Sequence, residues 1–416
     1  MGSLAVLDAE ELYSFPEPKP VRGPAVGSVE PLEQTSLICE DGVVASVGNG
    51  SSADVTIDAR GCTVVPGFVD PHTHLPFFAW RADEDAARLA GLRYETLHRD
   101  EGGIYRSARL LADAADDEVL AFSEELASAM LRRGTTTFET KSGYGLSIEG
   151  EFRQLRLARA LSERVPQTVV TTCLAAHAVP KGKSEGEWIG EIVSDLLPRV
   201  AAEGIASACD IYVESIAFQL EHAARLSQVS EALGLRMRMH ADQLEDGQGG
   251  AFAARWGLAS ADHLNHTSAD AVGDMARSDT AAVLLPGATF TLRQNKKPPA
   301  RSLIEEGAIV ALGTDLNPGT SPIHSMPFVI ALACRVYGLR PREALAAATV
   351  NAAYVLGLHD RIGRLAPECR ADAVVLDVPS FDAIPYRPDH DPVLAVVCGG
   401  ELAYVSPGGE ARVTRA

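Results

Sequence analysis

Thr63-Val64-Val65-Pro66-Gly67-Phe68-Val69-Asp70-Pro71-His72-Thr73-His74 carries a short apolar run directly into two histidines. The histidines are two residues apart, so on an extended chain both imidazoles project to one face and can converge on one ion. Seven more apolar runs follow the one spanning Thr63 to Val69. They are Thr135 to Glu139, Thr168 to Leu174, Cys209 to Val213, Arg236 to Met239, Ala259 to Leu264, Ala281 to Leu285 and Ala308 to Leu312. Between several of them lie Ala/Leu/Glu/Arg-rich helical stretches, such as Glu118 to Arg133, Ile148 to Arg164 and Leu220 to Leu233. Strand and helix alternating at this spacing predict βα units and a parallel sheet. Eight strands is the number that closes a (β/α)8 barrel of the α/β class, and such a barrel works at the C-terminal ends of its strands.

Those ends carry His72 and His74, Lys141, His177, Glu214, His240, His263, Pro286-Gly287 and Asp315. Five of the eleven histidines therefore fall on one rim. His98, His222, His359 and His390 lie in helical or loop context and receive no role. A His-x-His pair alone is a weak signal, but His240 and Asp315 arrive on other strand ends to complete it. Three imidazoles and a carboxylate suit one divalent metal, Zn or Fe, with a position left open for water whose pKa falls toward about 7. Asp315 has a second capability, accepting a proton from that water and returning it to a leaving nitrogen. His263, one strand beyond His240, is placed to stabilise developing oxyanion charge.

Outside the barrel, residues 1–65 read as short strands and turns. Ser36 to Cys39 and Val43 to Val47 flank Asp41-Gly42, a hairpin signal. The same texture returns in Ala373 to Asp377 and Val393 to Val397. The chain is expected to divide into a composite β-sandwich domain from residues 1–65 and 356–416 around a barrel at 66–355.

Composition narrows the partners. The 416 residues are 46% hydrophobic, enough for a large core, and carry a formal net charge of −19. That field repels phosphate backbones and anionic lipid, so neither nucleic acid nor a membrane surface is expected. No apolar stretch approaches the roughly 20 residues of a spanning helix, and the first residues, Met1 to Val6, show no signal-peptide pattern. Seven cysteines, odd in number and with no CxxC pairing, point to reduced thiols and a cytoplasmic location. A small-molecule substrate is the partner left, and a homodimer is the default assembly.

The motif from Pro66 to His74 followed by His240, His263 and Asp315 resembles the metal-dependent amidohydrolase superfamily, whose β-sandwich is built from both chain ends. Within it, Lys141-Ser142-Gly143-Tyr144-Gly145-Leu146, Ala176-His177-Ala178, His240-Ala241-Asp242-Gln243-Leu244, Ala261-Asp262-His263-Leu264 and Thr314-Asp315-Leu316-Asn317-Pro318-Gly319-Thr320-Ser321 are similar to the imidazolonepropionase family over nearly the whole chain. The resemblance implies hydrolysis of 4-imidazolone-5-propanoate to N-formimidoyl-L-glutamate by hydroxide formed at the metal. It also implies His72, His74, His240 and Asp315 as metal ligands and Asp315, His263 and Gln243 as catalytic residues. Arg81, Tyr144, His177, Asn317, Gly319 and Thr320 are implied around the substrate. Arg81 suits a propanoate because a guanidinium grips a carboxylate bidentately. Tyr144 and His177 offer hydrogen bonds to a polar ring. Gly319 is expected to let a ligand approach the main chain. Lys141, where other branches carry a carboxylated lysine between two metals, is expected to be unmodified.

Three departures from the family pattern bear on the pocket. Gln243 stands where some members have a glutamate, and an amide cannot shuttle protons. Phe77-Phe78-Ala79-Trp80 replaces small residues before Arg81, and its rings are expected to narrow the pocket mouth. Asp100-Glu101-Gly102-Gly103-Ile104-Tyr105 replaces a triple-glycine turn. The alternative is a related mononuclear amidohydrolase or deaminase acting on another small cyclic amide or amidine. A non-catalytic scaffold of this fold would lack metal residues, and all four are present.

Overall fold

The computed structural model describes residues 2–51, 53–91 and 102–416. Eight parallel strands form the barrel in sequence order. They are β6 (Phe68–Asp70), β7 (Thr135–Lys141), β8 (Thr168–Ala176), β9 (Ala208–Val213), β10 (Arg236–Ala241), β11 (Ser260–His263), β12 (Ala281–Leu284) and β13 (Ile309–Leu312). Most of these strand residues are buried, as expected where helices cover the outer face and side chains fill the centre. The seam between β6 and β13 closes just beyond the two strands. Asp315 N–H donates to His72 O at 3.0 Å, His74 N–H donates to Leu316 O at 2.9 Å, and Thr73 and Leu316 form a parallel bridge. The residues that close the barrel thus include three of the expected metal ligands.

A second sheet is built from both ends of the chain. Its strands are β1 (Ser3–Leu12), β2 (Leu32–Glu40), β3 (Val43–Gly48), β4 (Val55–Asp58), β5 (Thr63–Pro66), β14 (Ala373–Leu376), β15 (Val393–Cys398), β16 (Glu401–Val405) and β17 (Val413–Arg415). The main path runs β16-β15-β14-β5-β1-β2-β3, while β4 pairs with β1 and β17. Asp41 and Gly42 both take positive φ (48° and 87°) between β2 and β3, the hairpin turn expected of Asp-Gly. Leu4, Val6, Leu12, Leu37, Ile57, Val64, Val375 and Leu394 form this sheet's own core.

One expected strand proves to be two. The run from Thr63 to Val69 breaks at Gly67: β5 pairs with β1 and β14, whereas β6 joins the barrel. Gly67 N–H donates to Asp372 O and Phe68 N–H donates to Gly134 O, both at 2.9 Å, so the backbone changes partners across one peptide. Both pieces are apolar and β-rich, and hydrophobic pattern carries no mark of the change of sheet. The expected helical stretches appear as α2 (Asp116–Arg132), α3 (Ile148–Ser162) and α4 (Leu220–Ala232), with α1 (Ala82–Leu89) following the first barrel strand. All seven cysteines are free thiols.

Candidate active site

The barrel interior beneath the rim is charged. Glu139 and Lys141 on β7, Asp210 on β9, Arg238 on β10 and Asp262 on β11 are buried together. Lys141 Nζ donates to Glu139 Oε1 at 2.7 Å and to Asp210 Oδ2 at 2.8 Å. Arg238 donates to Glu139 Oε1 (2.9 Å), Asp262 Oδ2 (2.7 Å), Ser260 Oγ (2.9 Å) and Pro71 O (2.7 Å). Such groups are tolerated away from water only when paired on all sides. Lys141 Nζ thus has a carboxylate partner on each side. His240, Lys141 and Arg238 prevail over burial, which opposes ionisation, and hold the Asp210 carboxyl well below the ordinary carboxylate range.

This network aims the histidines above it. His72 Nδ1 lies 2.6 Å from Asp262 Oδ2 and His240 Nδ1 lies 3.2 Å from Asp210 Oδ1. A carboxylate on Nδ1 assigns the proton there and leaves the Nε2 lone pair as the ligand. In both residues Nε2 is buried and has no hydrogen-bond partner among the described residues. His74 Nε2 stands 3.3 Å and His72 Nε2 3.6 Å from Asp315 Oδ1. Ligand atoms of His72, His74 and His240 lie within 4.8 Å of one another, as do those of His72, His263 and Asp315. Burial, with neighbouring cations adding to it, keeps His72 and His74 far below the usual imidazole pKa, and hence neutral. Imidazoles with orphaned Nε2 atoms facing a carboxylate fit a divalent ion.

The His263 ring lies 5.4 Å from that of His240 and tilted 39° to it, and burial pushes its pKa down to about 3, so it too is neutral at pH 7. His263 and Asp315 both adopt left-handed backbone, φ 77° and 56°, which non-glycine residues seldom do. Strain of this kind is characteristic of functional sites. Asp70 supports the same edge, accepting from Thr314 N–H (3.0 Å) and His72 N–H (3.3 Å).

A pocket opens beside these histidines and Asp315. It is lined by His74, Arg81, Ile104, Tyr144, His177, Tyr212, His240, Gln243, His263, Asp315, Asn317 and Thr320. Arg81 is 4% exposed, and among the described residues its Nε and one terminal nitrogen have no hydrogen-bond partner; a carboxylate oxygen of Glu84 is 3.5 Å away. A buried guanidinium with unused donors is costly unless a ligand supplies the acceptor. His177 Nδ1 lies 3.3 Å from Gly143 O, and its ring stacks on His74 at 5.1 Å. Glu214, at the end of β9, accepts from Gln243 and Leu244 N–H at 2.5 and 3.0 Å; burial raises its pKa to about 7.

Two expectations about the pocket wall change. A Cβ on Gly319 would stand 1.5 Å from an Arg81 terminal nitrogen, so glycine makes room for the arginine rather than for a ligand. The Gly319 and Thr320 N–H groups both donate to Asn317 Oδ1, at 2.9 and 2.7 Å, so that side chain organises its own turn. The rings of Phe77, Phe78 and Trp80 gather around Phe122, with centroids 5.6 to 5.9 Å from it, and none lines the pocket. Asp100 and Glu101, like His98, lie outside the described residues, while Ile104 from the same departure forms part of the wall. Glu139, Asp210, Arg238, Asp262 and Tyr212 were missed from sequence. Arg238 and Asp210 had a signal, a charge inside an otherwise apolar run; Tyr212 had none.

A model of the amidohydrolase family matches residues 206–403. The chain is 43% identical over 366 residues to an imidazolonepropionase of Symbiobacterium thermophilum, covering 87% of this chain and 86% of that one. It is 41% identical over 411 residues to an imidazolonepropionase of Rubrobacter xylanophilus, covering 96% and 98%. Among solved structures, a triazine hydrolase variant superposes with a TM-score of 0.74 at 16% identity, covering 96% of this chain and 94% of that one. An adenosine deaminase from Xanthomonas campestris with bound zinc gives 0.67 at 17%, covering 97% and 93%. These two likenesses show the fold.

Proposed function

The chain belongs to the imidazolonepropionase family of the amidohydrolases, hydrolases of carbon–nitrogen bonds, and on that premise we propose that it opens the ring of 4-imidazolone-5-propanoate to N-formimidoyl-L-glutamate. The observation that carries this reading is the pairing of two features at one pocket: the convergent His72 and His240 Nε2 atoms near Asp315 and the Arg81 guanidinium, each with nitrogen atoms that find no hydrogen-bond partner among the described residues. His72, His74, His240 and Asp315 would hold one zinc or ferrous ion. Such an ion supplies hydroxide at neutral pH by lowering the pKa of a coordinated water.

Arg81 takes the propanoate, and Tyr144 and His177 hold the ring. Asp315 accepts the proton given up as water attacks the ring carbonyl carbon, and returns it to the ring nitrogen as the carbon–nitrogen bond breaks. His263, neutral, offers one N–H to the oxygen that gains negative charge. Gln243 contributes hydrogen bonds and no proton transfer, which leaves the whole acid–base task to Asp315. Asn317, Gly319 and Thr320 keep Arg81 and the pocket floor in place. The same reading puts the enzyme in histidine degradation in the cytoplasm.

The test is turnover of 4-imidazolone-5-propanoate by purified, metal-loaded protein, followed by mass spectrometry of N-formimidoyl-L-glutamate and run beside a panel of cyclic ureides and amino-purines. Turnover of a panel member but not of the imidazolone would overturn it.

A further inference from the structure

Two buried side chains of α3, neither of which lines the pocket, hold the wall that carries Tyr144. Glu151 is fully buried in the first turn of the helix, and its carboxylate accepts the N–H groups of Gly143 (2.8 Å), Gly145 (2.7 Å) and Leu146 (2.9 Å). The loop sits so close that a Cβ on Gly145 would lie 2.1 Å from Glu151 N. One turn further along, Gln154 is also fully buried. Its Oε1 accepts from Tyr144 N–H at 2.9 Å and its Nε2 donates to Pro76 O at 2.8 Å.

Tyr144 belongs to the loop after β7, and Pro76 to the segment that runs from β6 to Arg81. One amide therefore spans the two strand-end loops that bring a phenol and a guanidinium to the same pocket. The bridge needs an acceptor and a donor on one side chain, which an amide has and which neither a carboxylate nor a thioether offers. A buried amide is also costly unless both ends are paired, so the two loops cannot part without stranding it.

We propose that Gln154 is a positioning residue that sets the separation of Arg81 and Tyr144, with Glu151 fastening the Tyr144 loop to α3. The pair thereby selects the spacer between ring and carboxylate in the substrate. This rests on the reading of Arg81 and Tyr144 as substrate-facing groups.

The experiment uses the metal-loaded full chain with Gln154→Met, which keeps length and loses both bonds, and Gln154→Glu, which as the carboxylate keeps the acceptor and loses the donor. Amide exchange without substrate reads the clamp itself: Gln154→Met should speed exchange in both residues 77–82 and 143–147, and Gln154→Glu mainly in the first. Inhibition by 3-(imidazol-4-yl)propanoate against uncharged 4-ethylimidazole reads the consequence. Gln154→Met should weaken the propanoate by about tenfold, and the uncharged probe by less than about threefold, with KM rising more than kcat falls. Unchanged exchange in both segments, or equal weakening of both probes, would overturn the proposal. If Gln154→Met fails to fold, Gln154→Glu decides by the same two readings. A wild type that turns over no imidazolone propanoate would defeat the functional reading alone, because the exchange arm needs no substrate.

Discussion

Replacing Asp262 by alanine removes the carboxylate that sits 2.6 Å from His72 Nδ1 and 2.7 Å from an Arg238 terminal nitrogen. Two consequences follow and can be measured apart. Without its acceptor His72 can take the other tautomer or rotate, and loss of such an outer partner weakens metal binding by about 10- to 100-fold. Breaking a buried ion pair costs about 3–5 kcal/mol. Arg238 keeps Glu139, Ser260 and Pro71, so the lower end, about 3 kcal/mol, is expected. Asp262→Asn is milder: the amide oxygen can occupy the place of Oδ2 and serve both partners while the NH2 turns to Ser260, leaving only the charge missing. About tenfold in metal affinity is expected for it, near the bottom of the range. Asp210→Asn acts on His240 through a longer 3.2 Å contact and should weaken binding less than Asp262→Ala. The assay is chelator-competition titration of metal, beside denaturant unfolding of metal-free protein. If Asp262→Ala lost stability yet bound metal within about threefold of wild type, Asp262 would be a partner of Arg238 alone, and the tautomer argument would be refuted.

Arg81→Lys should raise KM by about 10- to 100-fold with kcat less affected, because an ammonium cannot reproduce the bidentate grip. Gly319→Ala should raise KM in the same direction with metal content unchanged, since its methyl occupies the site of an Arg81 nitrogen; steady-state kinetics and metal analysis check both. Trp80→Ala should leave KM within about threefold, because that ring packs on Phe122 outside the pocket. Metal-free protein should lose stability at both ends of the pH scale. His263 has a folded pKa of about 3, below its unfolded value, so its contribution is present above pH 6.5 and is lost as pH falls toward 3. Glu214 has a folded pKa of about 7, above its unfolded value, so its contribution is present below pH 4.5 and is lost as pH rises through 7. Glu214→Gln, whose oxygen still accepts from Gln243 and Leu244, should unfold at higher denaturant than wild type above about pH 8, by up to about 3 kcal/mol, and the gap should close as the pH falls below 5.

The barrel was legible because its strands are short apolar runs whose ends carry the chemistry, and because eight of them recur at βα spacing. Gly67 was not legible as a change of sheet, since hydrogen-bond partners leave no trace in hydrophobic pattern. The rim histidines and Asp315 could be found as residue types that convert poorly to packing. Glu151 and Gln154 could not: in sequence they are two ordinary polar residues of an amphipathic helix, and only the tertiary contact shows them turned inward to bind backbone. Gly319 was legible as a close approach but not as to what, because its neighbour Arg81 lies 238 positions earlier in the chain.

The buried charges beneath the rim have no stability argument in their favour. A well-packed apolar core of the same volume is often as stable as a buried ion network, or more so. What an apolar core cannot do is hold two imidazoles in one tautomer with their Nε2 lone pairs aimed at one point. Glu139, Asp210 and Asp262 set three negative charges against the two positive charges of Lys141 and Arg238, so the network taken alone is one negative charge in excess below a site suited to a cation. Removing Lys141 would deepen that excess and take one partner each from Asp210 and Glu139. Lys141→Met should therefore cost more stability in the metal-free protein than in the metal-loaded one, where the charge of an ion held by the histidines would offset part of the loss. Equal destabilisation of both forms in denaturant unfolding would show that the network is a structural core indifferent to the ion.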